Sequence, residues 1–225
     1  MTTADTTQEV CLVAVNAGLG EPSSTRMLVD RITDSVAELL AGEGVSTEVR
    51  VIDLRDLAID IASSLTSGFA DASVRDALEA IYAADGLVVA TPVFNASYSG
   101  LFKSFFDLVD VDRMAGTPVL IGATGGSPRH SMVLDHAIRP LLGYLRAVVV
   151  PTGVYAAAED WAGTSGDTTA LSDRIRRAAG ELAAQMRPTR AGVSPAARVS
   201  THSEDYAASG EAAGIANFAR LLGGQ

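Results

Sequence analysis

The sequence ADGLVVATPVFNASYSG, residues 84–100, passes from an apolar run into a polar and aromatic segment. An apolar run without regular alternation, as at residues 86–91, is typical of a strand that is buried on both faces of a parallel sheet. The segment after it carries turn-forming and cap-forming residues that lead towards a helix. Residues 84–100 therefore predict a central strand, a loop at its carboxyl end and the start of a helix.

Other segments of strand length lie at residues 10–15, 46–54, 118–123 and 146–150. Apolar residues recur with helical period between and after the strands, at residues 28–39, 74–82, 102–109, 134–145 and 171–186. Strands that alternate with helices predict βαβ units, whose right-handed crossovers cover both faces of a parallel sheet. The expected fold is α/β: a flavodoxin-like, doubly wound sandwich with a five-stranded parallel sheet in the order 2-1-3-4-5.

Composition divides the chain into three predicted segments. Residues 1–9 are polar and expected to be disordered, and residues 10–187 carry the strand and helix pattern of one domain. Residues 188–225 are rich in Ala, Gly, Ser and Pro, which predicts a mobile tail. One short amphipathic helix is expected near its end, because apolar residues at Ile215, Phe218, Ala219 and Leu222 have helical spacing.

Several classes of protein are excluded by composition and charge. The 225 residues are 48% hydrophobic, and no apolar run approaches the roughly 18 residues that cross a bilayer. No secretory signal is visible in residues 1–9, so the cytoplasm is the expected location. A formal net charge of −10 without a basic stripe disfavours nucleic acid and anionic membranes. Cys11 is the single cysteine, and the three histidines lack zinc-site spacing, so no metal is expected.

In a doubly wound sheet, ligands bind beyond the carboxyl ends of the strands where the winding reverses. The first such segment contains Gly18, Gly20 and three consecutive hydroxyl residues, Ser23, Ser24 and Thr25. Glycines allow a tight turn, and hydroxyls at a helix start can donate to phosphate, so this segment predicts an anion site. The alternative is that Ser23 or Ser24 is an ordinary N-cap. The glycine spacing matches neither the dinucleotide fingerprint nor the P-loop.

The other two segments predict a slot for a flat heterocycle. Pro92, Val93, Phe94 and Asn95 combine a rigid proline, an apolar face and an amide. The alternative is that Phe94 packs in the core and that Ser97 or Ser99 is an ordinary helix cap. Residues 124–127, Thr-Gly-Gly-Ser, place backbone amides where they can approach a ring. The sequence has no nucleophile elbow or paired acid and base, which favours a cofactor that brings its own reactivity.

The chain resembles the NADPH-dependent FMN reductases of flavodoxin-like fold. The branch it resembles supplies reduced FMN to two-component monooxygenases, such as alkanesulfonate and luciferase-like monooxygenases. The stretches that carry the resemblance are residues 84–100, 123–126 and 134–142, and the similarity covers about residues 10–186. The family's commoner Gly-Ser-Pro-Arg start is absent from the first loop. His136 stands where some relatives have a tyrosine in a helical bulge at a subunit interface.

The resemblance implies a set of cofactor-binding residues and an activity. The set for FMN is Ser23, Ser24 and Thr25 at the phosphate, Pro92, Val93, Phe94 and Asn95 at the isoalloxazine ring, and Gly125, Gly126 and Ser127 at its pyrimidine edge. Thr124 is also among the cofactor-binding residues. The implied activity transfers hydride from NADPH or NADH to FMN, with no catalytic side chain and no metal. The implied partners are a flavin-dependent monooxygenase and further copies of the chain in a homodimer or homotetramer.

Two other functions remain open from the sequence. One is an FMN-containing reductase that passes electrons to a quinone, an azo dye or a metal oxyanion. The other is a flavodoxin-like electron carrier without nicotinamide activity. Retention of bound flavin on purification favours the first, and absence of reduction by NAD(P)H favours the second.

Overall fold

A computed structural model describes residues 8–162 and 168–187. Within this part of the chain, one seven-stranded sheet is covered by helices on both faces. The strands are β1 (Gln8–Asn16), β2 (Val45–Asp53), β3 (Gly86–Phe94), β4 (Ser97–Tyr98), β5 (Pro118–Gly125), β6 (Val148–Val149) and β7 (Val154–Ala157). The α-helices are α1 (Ser24–Ala41), α2 (Ala58–Ser67), α3 (Ala72–Ala83), α4 (Gly100–Phe106), α5 (Val111–Met114), α6 (Arg139–Tyr144), α7 (Ala158–Ala162) and α8 (Thr168–Met186).

The sheet has the order β2-β1-β3-β5-β6, and these strands are all parallel. β7 is also parallel and pairs with the carboxyl half of β5, whereas β4 pairs antiparallel with the end of β3. The winding reverses between β1 and β3, because α1 leads from β1 outwards to β2 and the chain then returns to the other side of β1. The α/β class and the parallel arrangement predicted from the sequence are confirmed.

The predicted number of strands is wrong, since the described residues form seven strands rather than five in the order 2-1-3-4-5. The predicted fifth strand, residues 146–150, forms only the two-residue β6. Pro151 and Gly153 follow it, and proline cannot donate to a ladder. The chain therefore leaves the sheet and returns as β7, which continues the pairing along β5. The strand β4 is the other addition, and it belongs to a hairpin at the end of β3.

The helical stripes predicted at residues 28–39, 74–82, 102–109 and 171–186 correspond to α1, α3, α4 and α8. The sequence pattern did not predict the helix α2, which buries only Ile61 and Ser64 of its ten residues. The predicted helix at 134–145 is interrupted. It begins as a π-helix over Leu134–Ile138 and continues as α6, with Pro140 in its first turn.

Two apolar clusters lie on opposite faces of the sheet, and alternation along β1 connects them. Val13 and Val15 point into the cluster under α3 and α4, while Leu12 and Ala14 point into the cluster under α1 and α8. The aromatic stripe of α4 is fully enclosed in the first cluster, with Phe102, Phe105 and Phe106 at most 2% exposed. This stripe therefore provides no surface for a second subunit.

Gln8 and Glu9, which the sequence placed in a disordered N-terminus of residues 1–9, are the first residues of β1. Residues 1–7 and 188–225 lie outside the described residues, so the rest of that segment, the tail and its helix remain predictions. Of the helices described, none has the length and apolar character needed to span a membrane. Cys11 is partly buried on β1, and burial together with the nearby carboxylates Glu48 and Asp85 raises the pKa of its thiol.

Candidate functional site

The buried side chain of Asn16 anchors the first loop at the carboxyl end of β1. Its Nδ2 donates to Asp53 Oδ1 at 2.7 Å, and its Oδ1 accepts from the backbone N–H of Gly18 at 3.0 Å. The backbone N–H of Ala17 donates to the carbonyl of Ala90 on β3. The amide of Asn16 thus fixes where the chain leaves β1, between the ends of β2 and β3.

Residues 17–23, the helix-entry loop, fold back onto the start of α1. A Cβ at Gly18 would lie 2.1 Å from Ser23 Oγ, so only glycine fits this turn. Ser23 is the N-cap of α1, and its Oγ accepts from the backbone N–H of Arg26 at 3.2 Å. Ser24 is exposed in the first turn of α1. The start of α1, directly after this loop, therefore carries an exposed hydroxyl residue, which is the chemistry that a phosphate requires.

The hydroxyl of Thr25 points into the protein rather than towards solvent. Thr25 is 2% exposed, and its Oγ1 lies 2.7 Å from Oγ1 of Thr124, which is 3% exposed. This buried pair joins the first turn of α1 to the end of β5. Two of the residues assigned to the cofactor by resemblance are thus in direct contact, but each uses its hydroxyl for the other.

The segment after β3 is a tight hairpin rather than the irregular loop that the sequence predicted. Val93 pairs with Tyr98 and Phe94 with Ser97, which leaves Asn95 and Ala96 as the two turn residues. Both have positive φ, at 48° and 63°, as a two-residue turn of type I′ requires. Phe94 is 45% exposed at the end of the sheet, so it is not a core residue.

The hairpin leads directly into α4 through a serine cap. Ser99 Oγ accepts from the backbone N–H of Phe102, and the backbone N–H of Ser99 donates to Oγ1 of Thr91. Ser99 is therefore the ordinary N-cap that the sequence left open. Pro92 and Val93 are half-buried beside this contact, and Pro92 pairs in register with Thr124 of β5.

Residues 125–127, the β5 turn, are the last residue of β5 and the two residues after it, at the same edge of the sheet. Gly126 is exposed, and Ser127 is half-buried with its Oγ accepting from the backbone N–H of Arg129. The hydroxyl of Tyr155 on β7 donates to the carbonyl of Ser127 at 2.6 Å. Burial, and then the negative charge of Asp160, raise the pKa of Tyr155, so its hydroxyl remains a donor at neutral pH.

A cleft of about 320 Å³ lies on the β2 side of the helix-entry loop. Arg26 lines this cleft and donates to Asp53 at 2.6 Å and Asp30 at 2.7 Å, so its charge is already neutralised locally. Arg55 donates to Glu21 at 2.6 Å, and this hydrogen bond lowers the pKa of Glu21. Because these cations are paired with carboxylates, they are not free anion ligands in this structure.

The structure brings the predicted residues together at one place. Ser23 and Ser24, the end of β3 and the β5 turn all lie at the carboxyl edge of the sheet, beside the reversal between β1 and β3. The residues that sequence reasoning missed are Asn16, Asp53 and Tyr155. The polar ends of β1 and β2 were a usable signal for Asn16 and Asp53. No local signal identified Tyr155, because its partner is 28 residues away.

The residues present fit a phosphorylated heterocycle better than a metal. A phosphate fits the helix start at Ser23 and Ser24, where a glycine-only turn brings the backbone close. No group of three or more metal-binding side chains occurs among the residues that the structure describes. His136 is exposed on the π-helix.

A mainly parallel, doubly wound sheet with a helix start and two loops at its reversal point defines a protein of the flavodoxin-like class. The chain belongs to the NADPH-dependent FMN reductase family, whose model matches residues 10–162. The family resemblance seen in the sequence is thereby confirmed.

Individual relatives agree with this membership. A protein from Pseudomonas aeruginosa named FMN reductase (NADPH) is 41% identical, over 75% of this chain and 88% of its own length. A protein from Pseudomonas fluorescens named NADH-dependent FMN reductase SfnF is also 41% identical, over 75% and 87%. The X-ray structure of an oxidoreductase from Corynebacterium diphtheriae is 48% identical with a TM-score of 0.76, and covers 80% of this chain and 97% of that one.

Proposed function

We propose that this protein is an NAD(P)H-dependent FMN reductase, which transfers hydride from reduced nicotinamide to FMN. The observation that carries the proposal is the meeting of the helix-entry loop, the β3–β4 hairpin and the β5 turn at the reversal point of a sheet whose chain belongs to this family. Both nicotinamides are included, because relatives of equal identity are named for NADPH and for NADH.

The phosphate of FMN is assigned to Ser23, Ser24 and Thr25. Exposure of Ser24 in the first turn of α1 supports a direct hydroxyl contact. The hydroxyl of Thr25 is paired with Thr124, so Thr25 would contribute its backbone N–H and the position of the helix start. Ser23 both caps the helix and retains a hydroxyl hydrogen to donate.

The ring is assigned to Pro92, Val93, Phe94 and Asn95 on one side and to Gly125, Gly126 and Ser127 at its pyrimidine edge. Thr124 precedes these residues and would support them through its buried pair with Thr25. Exposure of Phe94 and Gly126 at the sheet edge supports these roles. Bound FMN supplies the hydride-accepting chemistry. The side chains and backbone amides of these residues align and shield the ring, and such alignment can contribute about 7–11 kcal/mol of barrier lowering without a proton-transferring group.

Steady-state oxidation of NADPH and of NADH by the purified protein, with and without added FMN, tests the activity. We expect oxidation that depends on flavin, with at least one of the nicotinamides. Absence of flavin-dependent oxidation by folded protein contradicts the proposal. A protein that stays yellow through gel filtration and reduces quinones or azo dyes by double-displacement kinetics would instead be an FMN-containing reductase.

Reduced FMN is proposed to leave for a flavin-dependent monooxygenase, and the two proteins would meet only through transfer of the flavin. The cytoplasm remains the proposed location.

A homodimer or homotetramer is also proposed, supported by large apolar side chains that the monomer leaves in solvent: Ile59, Phe69 and Tyr144 are 84%, 82% and 75% exposed. Light scattering during gel filtration measures this, and a monomeric mass contradicts it.

A further inference from the structure

Tyr155 connects the edge strand β7 to the β5 turn. It lies on β7 in register with Ala123 of β5, and it is only 7% exposed. Its hydroxyl donates to the carbonyl of Ser127 at 2.6 Å. The contact joins a strand to a turn 28 residues earlier in the chain, so movement of one relative to the other would break this hydrogen bond.

The same hydroxyl determines which residue can occupy position 125. A Cβ built on Gly125 would lie 2.2 Å from the Tyr155 hydroxyl oxygen and 3.2 Å from its ring carbon Cζ. Tyrosine thus fills the space that any side chain at this position would need. Glycine at position 125 therefore makes room for the tyrosine hydroxyl that holds the β5 turn.

Tyr155 is itself held on β7 by its surroundings. Its carbonyl accepts from Arg174 of α8 at 3.3 Å, and Arg174 lies 3.6 Å from the carboxylate of Asp160. Asp160 accepts from the backbone N–H of Ala157 at 2.7 Å, which closes the end of β7. Tyr155 therefore lies on a short strand whose carboxyl end is fixed by hydrogen bonds, and its side chain can hold the β5 turn in place.

We propose that Tyr155 is a positioning residue that holds the β5 turn in the conformation that receives the pyrimidine edge of the flavin. The inference rests on the proposed function, which places Gly125, Gly126 and Ser127 at that edge. Tyr155 acts through Ser127 and Gly125 rather than by contact with the flavin. Loss of its hydroxyl should weaken binding of the ring and leave the phosphate contact at α1 unchanged.

The test measures equilibrium binding of FMN and of riboflavin by flavin fluorescence, in wild type and in Tyr155→Phe. Riboflavin has the same ring as FMN but lacks the phosphate. We expect the substitution to weaken both ligands by the same factor, about 3- to 10-fold for the loss of one hydrogen bond. In protein without flavin, amide hydrogen exchange of residues 125–130 should be faster in the variant, since the turn has lost its hydrogen bond to Tyr155.

Tyr82→Phe is the matched control. The hydroxyl of Tyr82 accepts from the backbone N–H of Asp110 at 2.7 Å, and Tyr82 lies at the end of α3, just before β3 enters the sheet at the opposite edge. The control variant loses a comparable bond to the backbone, and we expect it to bind both flavins as wild type does.

Three results would overturn the inference: unchanged flavin binding in Tyr155→Phe, weaker binding of FMN alone, or equal weakening in Tyr82→Phe. Weaker binding of FMN alone would place the effect at the phosphate. If wild-type protein bound neither flavin, the proposed function itself would fail and the inference with it. Failure of the proposed function can be told apart from failure of the inference, because wild-type binding is measured before any variant is made.

Discussion

Adjacent serines at the start of α1 have different surroundings and therefore different expected roles. Ser23 caps the helix through its hydroxyl oxygen, whereas Ser24 is exposed beside it. An N-cap contributes to stability whether or not a ligand is bound, because it satisfies a backbone N–H that the helix leaves unpaired. Ser23 therefore has a structural role besides its proposed contact with phosphate, whereas Ser24 has only the proposed contact.

We predict that Ser23→Ala lowers the free energy of unfolding by about 1 kcal/mol, the usual value of a serine cap. Ser24→Ala should leave stability within about 0.5 kcal/mol of wild type, as expected for an exposed residue. Both should weaken FMN about 10-fold or more through the loss of a bond to a charged phosphate, and neither should affect riboflavin. Urea unfolding and fluorescence titration measure these effects. Equal loss of riboflavin binding would contradict the phosphate assignment.

The buried pair of Thr25 and Thr124 makes a second prediction at the scale of residues. Thr25→Val and Thr124→Val should each destabilise the fold by about 1–3 kcal/mol, because each leaves the other hydroxyl buried without its partner. The double variant should cost less than the sum of the two, since it removes both polar groups together. Urea unfolding of the four proteins measures the coupling. Additivity within about 0.5 kcal/mol would show that the two hydroxyls do not depend on each other.

At the scale of elements, the β3–β4 hairpin is the part of the site that the sequence pattern did not predict. Its turn, Asn95-Ala96, has the backbone of a type I′ turn but not the Asn-Gly pair that usually marks one. A left-handed alanine is unfavourable because its Cβ crowds the following carbonyl. The pairing of Val93 with Tyr98 and the cap at Ser99 hold it there. Strain of this kind often occurs at functional sites.

Ala96→Gly should therefore raise the free energy of unfolding, by about 0.5–1 kcal/mol, since glycine adopts positive φ without steric cost. Ala62→Gly is the control, because Ala62 is exposed in the interior of α2, where glycine should cost about 1 kcal/mol. The shift in the urea midpoint measures both. A decrease in stability for Ala96→Gly would contradict the strained turn.

At the scale of the whole molecule, the residues of both apolar clusters in the described part of the chain lie between Val10 and Met186. The cluster under α1 and α8 includes Leu182 and Met186, near the end of α8. Arg187 then pairs with Glu43 beside the end of α1. The described core thus extends to Met186, and Arg187 adds an ion pair at the surface.

We predict that removal of residues 188–225 leaves the thermal midpoint and the FMN reductase activity unchanged. Removal of residues 181–225 should destabilise the protein strongly, because it also deletes Leu182, Ala183 and Met186 from the core. Thermal melting and the steady-state assay compare the two truncations with the full chain. Loss of activity in the shorter truncation would mean that the tail belongs to the functional unit.

The sequence by itself determined the α/β class, four of the helices, the parallel strands and the family. These depend on local periodicity and on motifs whose residues are close in sequence, such as residues 84–100. It also placed the candidate site at the carboxyl edge of the sheet, because parallel topology dictates that edge.

Only the tertiary structure decided the division of the last strand into β6 and β7, the β3–β4 hairpin and the partners of individual hydroxyls. Thr25 meets Thr124 and Tyr155 meets Ser127 across 99 and 28 residues. Contacts between residues so far apart follow from how the strands and helices pack. The local periodicity of the sequence does not predict them.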